Sequence, residues 1–390
     1  MRRASWALLV CSIVAVVGVA LTTTPFDPNA ACCDHLFYRS MAYNLFTVTR
    51  PSLNAPPPGN SLPQWERQPA VARYMSPVNA LNRQPPFIYR PVAPLVARLL
   101  AIPLGGIDRG FYALSLIGLI VAAYFLALAA WHLSGDIWPA VATIAAFVAI
   151  PTVARTNLFD YMLVDPLAFA CLSVGVWAML TRRDRLFWVV ALVGIFTKET
   201  QAFVIAAYLL QAAWERRLTW RVGAAALVTG GLYGSYRLLL PVPVNTYSLR
   251  TTFLGVPHPA VVLGVALGVF GVLGPLAALR CRRVPFSLWL LPIVAGTFVI
   301  PLFAVNADRA YVFAFPFVLL AVFGVRPIGR LDRAATLLAG GVFVVMEVTA
   351  TLVGPQEALL TVVVALLLIA TCLGAQWSGR DRASLVPASA

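Results

Sequence analysis

The polar chemistry of this sequence is confined to short segments between long apolar runs. The first, Asp34-His35-Leu36-Phe37-Tyr38, sets a carboxylate and a phenol four residues apart, one turn along a helical face. A carboxylate so placed can take the proton from an attacking hydroxyl, and it can equally cap a helix N-terminus. The second, Ile88-Tyr89-Arg90-Pro91, offers a guanidinium. That group grips phosphate oxygens bidentately, and it serves as readily as a snorkelling anchor at a membrane rim. The third runs from Arg155 to Pro166 and carries Asp160 and Asp165. These acids suit sugar hydroxyls, an acceptor or a divalent cation, while Asp165-Pro166 is also a good helix start. The fourth, Thr197-Lys198-Glu199-Thr200, holds the only lysine among 29 basic residues. A compact ammonium at a helix break suits a phosphate contact, with Glu199 as partner for Lys198 or for another cation. The fifth, Asn306-Ala307-Asp308-Arg309, is a local ion pair or a further phosphate contact through Arg309. His35 and His258 share no metal-ligand spacing with Asp34, and no metal site is expected from them.

The elements that must position these groups are membrane helices. Of 390 residues, 60% are hydrophobic and 11% charged, and the mean hydropathy is +0.83. A soluble chain carries roughly a quarter charged residues, so an ordinary soluble enzyme is excluded, as are disordered and collagen-like chains. The net charge of +14 suggests nucleic acid at first sight. In a membrane chain its plainer cause is an arginine excess on cytoplasmic loops, and no nucleic-acid partner is expected. The 6 cysteines include the adjacent Cys32 and Cys33, show no CxxC spacing and predict no disulfide framework.

Apolar runs predict helices at residues 6–22, 111–133, 137–153, 163–181, 186–197, 199–215, 219–240, 259–280, 285–304, 310–325, 334–353 and 356–376. This is an all-α polytopic protein of about 11–12 spans. The first run could be a signal peptide ending near Gly18-Val19-Ala20, but it is long enough to cross and is read as an uncleaved span. The pair at 186–197 and 199–215 is short, as broken helices lining a cavity are. With the N-terminus inside, Arg182, Arg183, Arg185, Arg216, Arg217, Arg221, Arg280, Arg282, Arg283, Arg326, Arg330 and Arg333 all fall on the cytoplasmic side. That holds only if Pro91 to Ile107 does not cross, so this stretch is expected to lie at the outer interface. Residues 25–110 then form one long extracytoplasmic loop with interfacial helices and a proline-rich flap around Pro56-Pro57-Pro58-Gly59. Residues 1–390 make a single integral membrane domain, with 377–390 a short cytoplasmic tail.

This topology gathers Asp34, Arg90, Asp160, Asp165, Lys198, Glu199 and Arg309 on the outer face. Ionisable groups at membrane depth need a cavity or a partner, so one polar cavity is expected there; ordinary wetting of outer loops is the alternative. The segments in this order resemble the GT-C superfamily of polytopic membrane glycosyltransferases. The resemblance covers most of the chain in topology and rests on short local matches. It implies Asp34, with Tyr38 one turn on, as the catalytic base. It likens Asp165 to the acid at the outer start of the fourth span, and it implies a lipid-phosphate contact for Lys198. An Asp-Glu dyad after the first span and a C-terminal soluble domain are absent, which argues against an oligosaccharyltransferase.

The expected function is transfer of a sugar from a polyprenyl-phosphate carrier to an acceptor hydroxyl of a glycan, lipid or protein. Tyr38, Asp160, Asp165 and Glu199 would hold substrate, and Arg90, Lys198 and Arg309 the phosphate. No cofactor is required by this scheme, though a divalent cation is compatible with it. The expected location is a bacterial inner or plasma membrane, with both termini cytoplasmic. The rival is a transporter or lipid-carrier flippase with an outward-facing vestibule, which predicts polar residues through the full membrane depth.

Overall fold

The computed structural model describes residues 2–25, 38, 41–42, 90–150, 152–239, 269–271, 273–280, 312–325, 334 and 336–345. Asp34, Arg309, the proline-rich flap, the expected spans at 285–304 and 356–376 and the tail at 377–390 lie outside the described residues. Among those described, all regular structure is helical. The helices are α1 (Arg2–Thr22), α2 (Val92–Leu104), α3 (Ile107–Ser134), α4 (Ile137–Ala149), α5 (Ala154–Phe159), α6 (Asp165–Leu180) and α7 (Asp184–Ile195). They continue with α8 (Gln201–Trp214), α9 (Trp220–Leu239), α10 (Leu273–Arg280), α11 (Phe315–Phe323, entered through a tight turn at Val312–Ala314) and α12 (Thr336–Val345).

Most elements follow the apolar runs, and their ends have local causes. The run at 137–153 stops as a helix at Ala149, because Ile150 precedes Pro151 and a residue before proline is driven out of the helical region. The expected interfacial stretch is α2, which ends when Gly105 turns left-handed at φ 74°. Immediately beyond it α3 starts at Ile107, four residues before the expected boundary. The segment from 186 to 215 is indeed two short helices, α7 and α8, separated by a turn at 196–200.

α3 is the central element, with α1, α2, α4 and α6 packed along it. At 28 residues it is about 42 Å long. Two glycines on it permit close crossings. A side chain at Gly110 would start 2.1 Å from the Ala97 carbonyl oxygen of α2, and one at Gly118 would start 2.7 Å from the backbone of Pro166 on α6. The second crossing fixes the start of α6, and with it Asp165. A ring cluster of Phe147, Phe169, Phe313 and Phe315 ties α4 and α6 to the entry of α11. A smaller core at the start of α3 holds Tyr38, Met41 and Ala42 against Ala93, Ala97, Phe111 and Leu114.

The helices Arg3–Thr22 and Ile107–Ser134 are long and apolar enough to cross a membrane. Only 17% of the first one's apolar window is buried, against 56% of the second's. α1 therefore shows a broad apolar face, including Trp6, Val10, Val14 and Leu21, that water would not stabilise.

Charge separates to opposite ends of the helices. At one end the starts of α3, α6 and α8 meet the end of α7, through Ser115 Oγ to Tyr161 O at 2.9 Å and Gln201 Nε2 to Ala168 O at 2.8 Å. At the other, the ends of α6 and α8 meet the start of α7, where Arg182, Arg217, Asp184 and Glu215 make ion pairs. Arg280, buried at the end of α10, donates to Val322 O at 2.9 Å and to Thr336 Oγ1 at 2.6 Å. The apolar bodies of the helices lie between these ends.

Candidate functional site

The site grows from the turn between α7 and α8. Thr197 and Lys198 both direct their backbone N–H groups to Gly194 O, at 2.9 and 2.8 Å, and Gln201 N bonds Lys198 O at 3.1 Å. These bonds end α7 and begin α8 within a few residues. Gly194 is needed here, because a Cβ on it would lie 2.9 Å from the Gln201 side chain. Gln201 is thereby free to donate to Ala168 O on the first turn of α6.

This arrangement brings Lys198 onto Asp165. The ammonium and the carboxylate form a direct charge-assisted hydrogen bond, with side chains 12% and 2% exposed. Lys198 Nζ also sits 4.4 Å from the centre of the Phe313 ring, a cation–π position. Asp165 occupies the first turn of α6, with proline next to it, so it is the helix start anticipated from Asp165-Pro166. Its side chain pairs with the lysine thirty-three positions on.

Glu199 takes a different partner from its neighbour. Arg90, just before α2, donates through Nε at 3.0 Å to Glu199 Oε2, pairs with the same oxygen through Nη2 at 2.9 Å, and donates through Nη1 at 3.0 Å to the Tyr38 hydroxyl. The two charged side chains are 15% and 29% exposed. Burial opposes the charge on Arg90, but the Glu199 carboxylate and then the Tyr38 hydroxyl outweigh it and hold the guanidinium well above its ordinary value. Burial, the largest single influence, likewise pushes the Glu199 carboxyl up, but the Arg90 charge and hydrogen bond, a backbone hydrogen bond and Lys198 together outweigh it, leaving Glu199 below the usual carboxylate range.

A carboxyl whose folded value is depressed contributes stability above the unfolded glutamate value, about 4.3, and loses it as pH falls through the folded value. Glu199→Gln is expected to lower the melting midpoint at pH 7 and to flatten the loss of stability on acidification below about pH 4. Melting curves of the full chain from pH 3 to 7 check this; parallel curves would show that Glu199 is not held low by Arg90.

No family model, curated protein or solved structure matches the chain.

Of the residues singled out in the sequence, Tyr38, Arg90, Asp165, Lys198 and Glu199 thus come together. Asp160 lies at the end of α5, where its N–H bonds Thr156 O at 2.7 Å and its carbonyl accepts from Leu163 N at 3.3 Å. Asp34 and Arg309 fall outside the described residues. Among the described residues no group of three or more His, Cys, Asp or Glu is arranged to hold a metal ion. Two contributors had no sequence signal. Tyr233 of α9 buries its hydroxyl close enough to Glu199 for the carboxylate to act on it. Phe313 supplies the ring under Lys198. Both lie far along the chain from the residues they serve, in runs indistinguishable from ordinary core.

Chemically, the cluster is a neutral set of two cations and two carboxylates, held rigidly by backbone turns. Among the described residues Arg90 directs Nε to Glu199 and Nη1 to the Tyr38 hydroxyl, with Nη2 in the ion pair.

Proposed function

We propose that the protein is a polytopic, GT-C-like membrane glycosyltransferase that moves a sugar from a polyprenyl-phosphate carrier to an acceptor hydroxyl at the extracytoplasmic face. The observation that carries this reading is the meeting of Tyr38, Arg90, Asp165, Lys198 and Glu199 in two adjoining buried ion pairs at one end of the apolar helices. Burying charges is costly, and a chain that keeps four of them together at a membrane rim has a use for them.

In this reading the carrier enters from the bilayer with its phosphate at Arg90, Lys198 and Arg309. Because the described cluster has no net charge, the phosphate is held by aimed N–H donors rather than by a bulk positive field. Asp34, one helical turn before Tyr38 in sequence, accepts the proton of the acceptor hydroxyl as that oxygen attacks the anomeric carbon. The bond from the anomeric carbon to the phosphate oxygen breaks, and polyprenyl phosphate leaves into the membrane. Tyr38, Asp160, Asp165 and Glu199 orient sugar and acceptor. The arginine-bearing end of the helices and both termini face the cytoplasm of a bacterial inner or plasma membrane.

Transfer of labelled sugar from a polyprenyl-phosphate donor by the purified full chain in detergent tests this. Wild-type protein is expected to turn over, and Asp34→Asn to lose transfer while expressing normally. Full activity of Asp34→Asn would remove Asp34 as the base. Uptake of carrier into sealed vesicles with no transfer in detergent would replace the transferase by a transporter.

A further inference from the structure

At the end of the helices opposite Asp165 the chain makes the same turn twice. α6 closes at Thr181 and α8 at Glu215, and the next residues, Arg182 and Arg216, take left-handed backbones with φ 56° and 54°. The arginine after each then bonds back across the turn, Arg183 N to Ala178 O at 2.8 Å and Arg217 N to Ala212 O at 2.7 Å. Glycine is the usual occupant of that left-handed position. Among the described residues, these two arginines alone have positive φ without being glycine. A side chain kept where its backbone is disfavoured points to a use for that side chain.

The surrounding charges show what is left for an outside partner. Arg217 is engaged internally, 2.7 Å from Glu215 and 3.7 Å from Asp184. Arg182 is 69% exposed and only 3.7 Å from Glu215 at its nearest. Arg183, over the Trp177 ring at 4.5 Å, is exposed, as are Arg185, Arg216 and Arg221. Asp184 and Glu215 are already taken by arginine, so the patch is strongly positive. Exposed Trp214, Leu218 and Trp220 lie along the same stretch of chain. Tryptophan beside arginine at the end of apolar helices is the composition of headgroup depth, where the ring meets the acyl boundary and the guanidinium meets phosphate.

We propose that this patch binds the phosphate headgroups of anionic phospholipid, with Arg182 and Arg216 as its principal ligands. Trp214, Leu218 and Trp220 lie against the acyl chains beside them. An acidic protein surface would match the arginines but not the exposed apolar surface of these side chains. The inference rests on the membrane placement of the helices and is independent of glycosyl transfer.

The test uses the full chain in uncharged detergent and quenching of its tryptophan fluorescence by phosphatidylglycerol or phosphatidylcholine with brominated acyl chains. Wild-type protein is expected to bind the anionic lipid preferentially. R182G/R216G suits the left-handed turns and removes both guanidinium groups, so it should fold with an unchanged or higher melting midpoint. Its phosphatidylglycerol affinity is expected to fall roughly thirtyfold, with phosphatidylcholine binding unchanged. R182K/R216K, which keeps the charge, should retain most of the preference. Undiminished phosphatidylglycerol preference in R182G/R216G would overturn the assignment, as would equal loss with both lipids.

Discussion

Lys198→Met is expected to destabilise the fold by about 3–5 kcal/mol and, on the proposed function, to abolish sugar transfer. The side chain leaves behind Asp165, almost fully buried at the start of α6, with its principal charge partner gone. An ionised carboxylate in that position lacks the solvation it would have in water, and neutralising it costs a comparable amount. The cation–π contact with Phe313 is lost as well. A fall in melting midpoint alone would not separate a structural pair from a functional one, so the double variant Lys198→Met with Asp165→Leu decides it. Replacing both members of a buried ion pair by apolar groups of similar size is often close to neutral. The double variant should therefore recover most of the melting midpoint and still fail to transfer sugar. Recovery of transfer along with stability would make the pair purely structural, and a melting midpoint unchanged in Lys198→Met would show that the pair carries no burial penalty.

The second large effect lies outside the charged groups. Gly118→Leu should separate α3 from α6, because even its Cβ would stand 2.7 Å from the carbonyl carbon and oxygen of Pro166. These are backbone atoms at the first turn of α6 and cannot rotate away. Overpacking typically costs about 1–3 kcal/mol, and more where backbone must move. The displacement falls on the residue after Asp165, so transfer should drop more than stability alone explains. Gly175→Ala is the control. Its Cβ would meet Val204 Cγ1 at 3.5 Å, an ordinary contact, and it should melt and react as wild type. Equal behaviour of the two variants in melting and transfer assays would show that the α3–α6 crossing does not set the site.

Much of the architecture was legible because apolar runs and their breaks act locally. Apart from α5, which no apolar run anticipated, the helices from α3 to α9 follow those runs closely, and the division of 186–215 into two short helices follows from Lys198 and Glu199 interrupting it. The misplaced ends are also local in origin. Pro151 shortens α4, and the left-handed Gly105 lets α3 begin early.

Pairing was not legible. Glu199 could be read as the partner of its neighbour Lys198 or of another cation, and the structure takes the second, each of the two binding a group from elsewhere. Lys198 turns to α6, held there by Gln201 on Ala168, while Glu199 turns to Arg90, which the packing of α2 on α3 delivers. Those approaches depend on Gly110, Gly118 and Gly194, whose value is the volume they lack, and absent volume leaves no periodic trace. The same holds for Tyr233 and Phe313, which look in sequence like any other aromatic residue of an apolar helix.

By itself, then, the sequence determined the helical character and the raw material: apolar helices, arginines in place of lysines, and a few ionisable residues that are costly to bury. Hydropathy and cost of burial are properties of single residues and short runs, so they survive in one dimension. Only the tertiary structure decided that five of those residues meet, that the lone lysine is held by Asp165, and that Arg90 joins Tyr38 to Glu199. An electrostatic bond between residues far apart in the chain is set by how backbones cross, and that is decided when the helices pack.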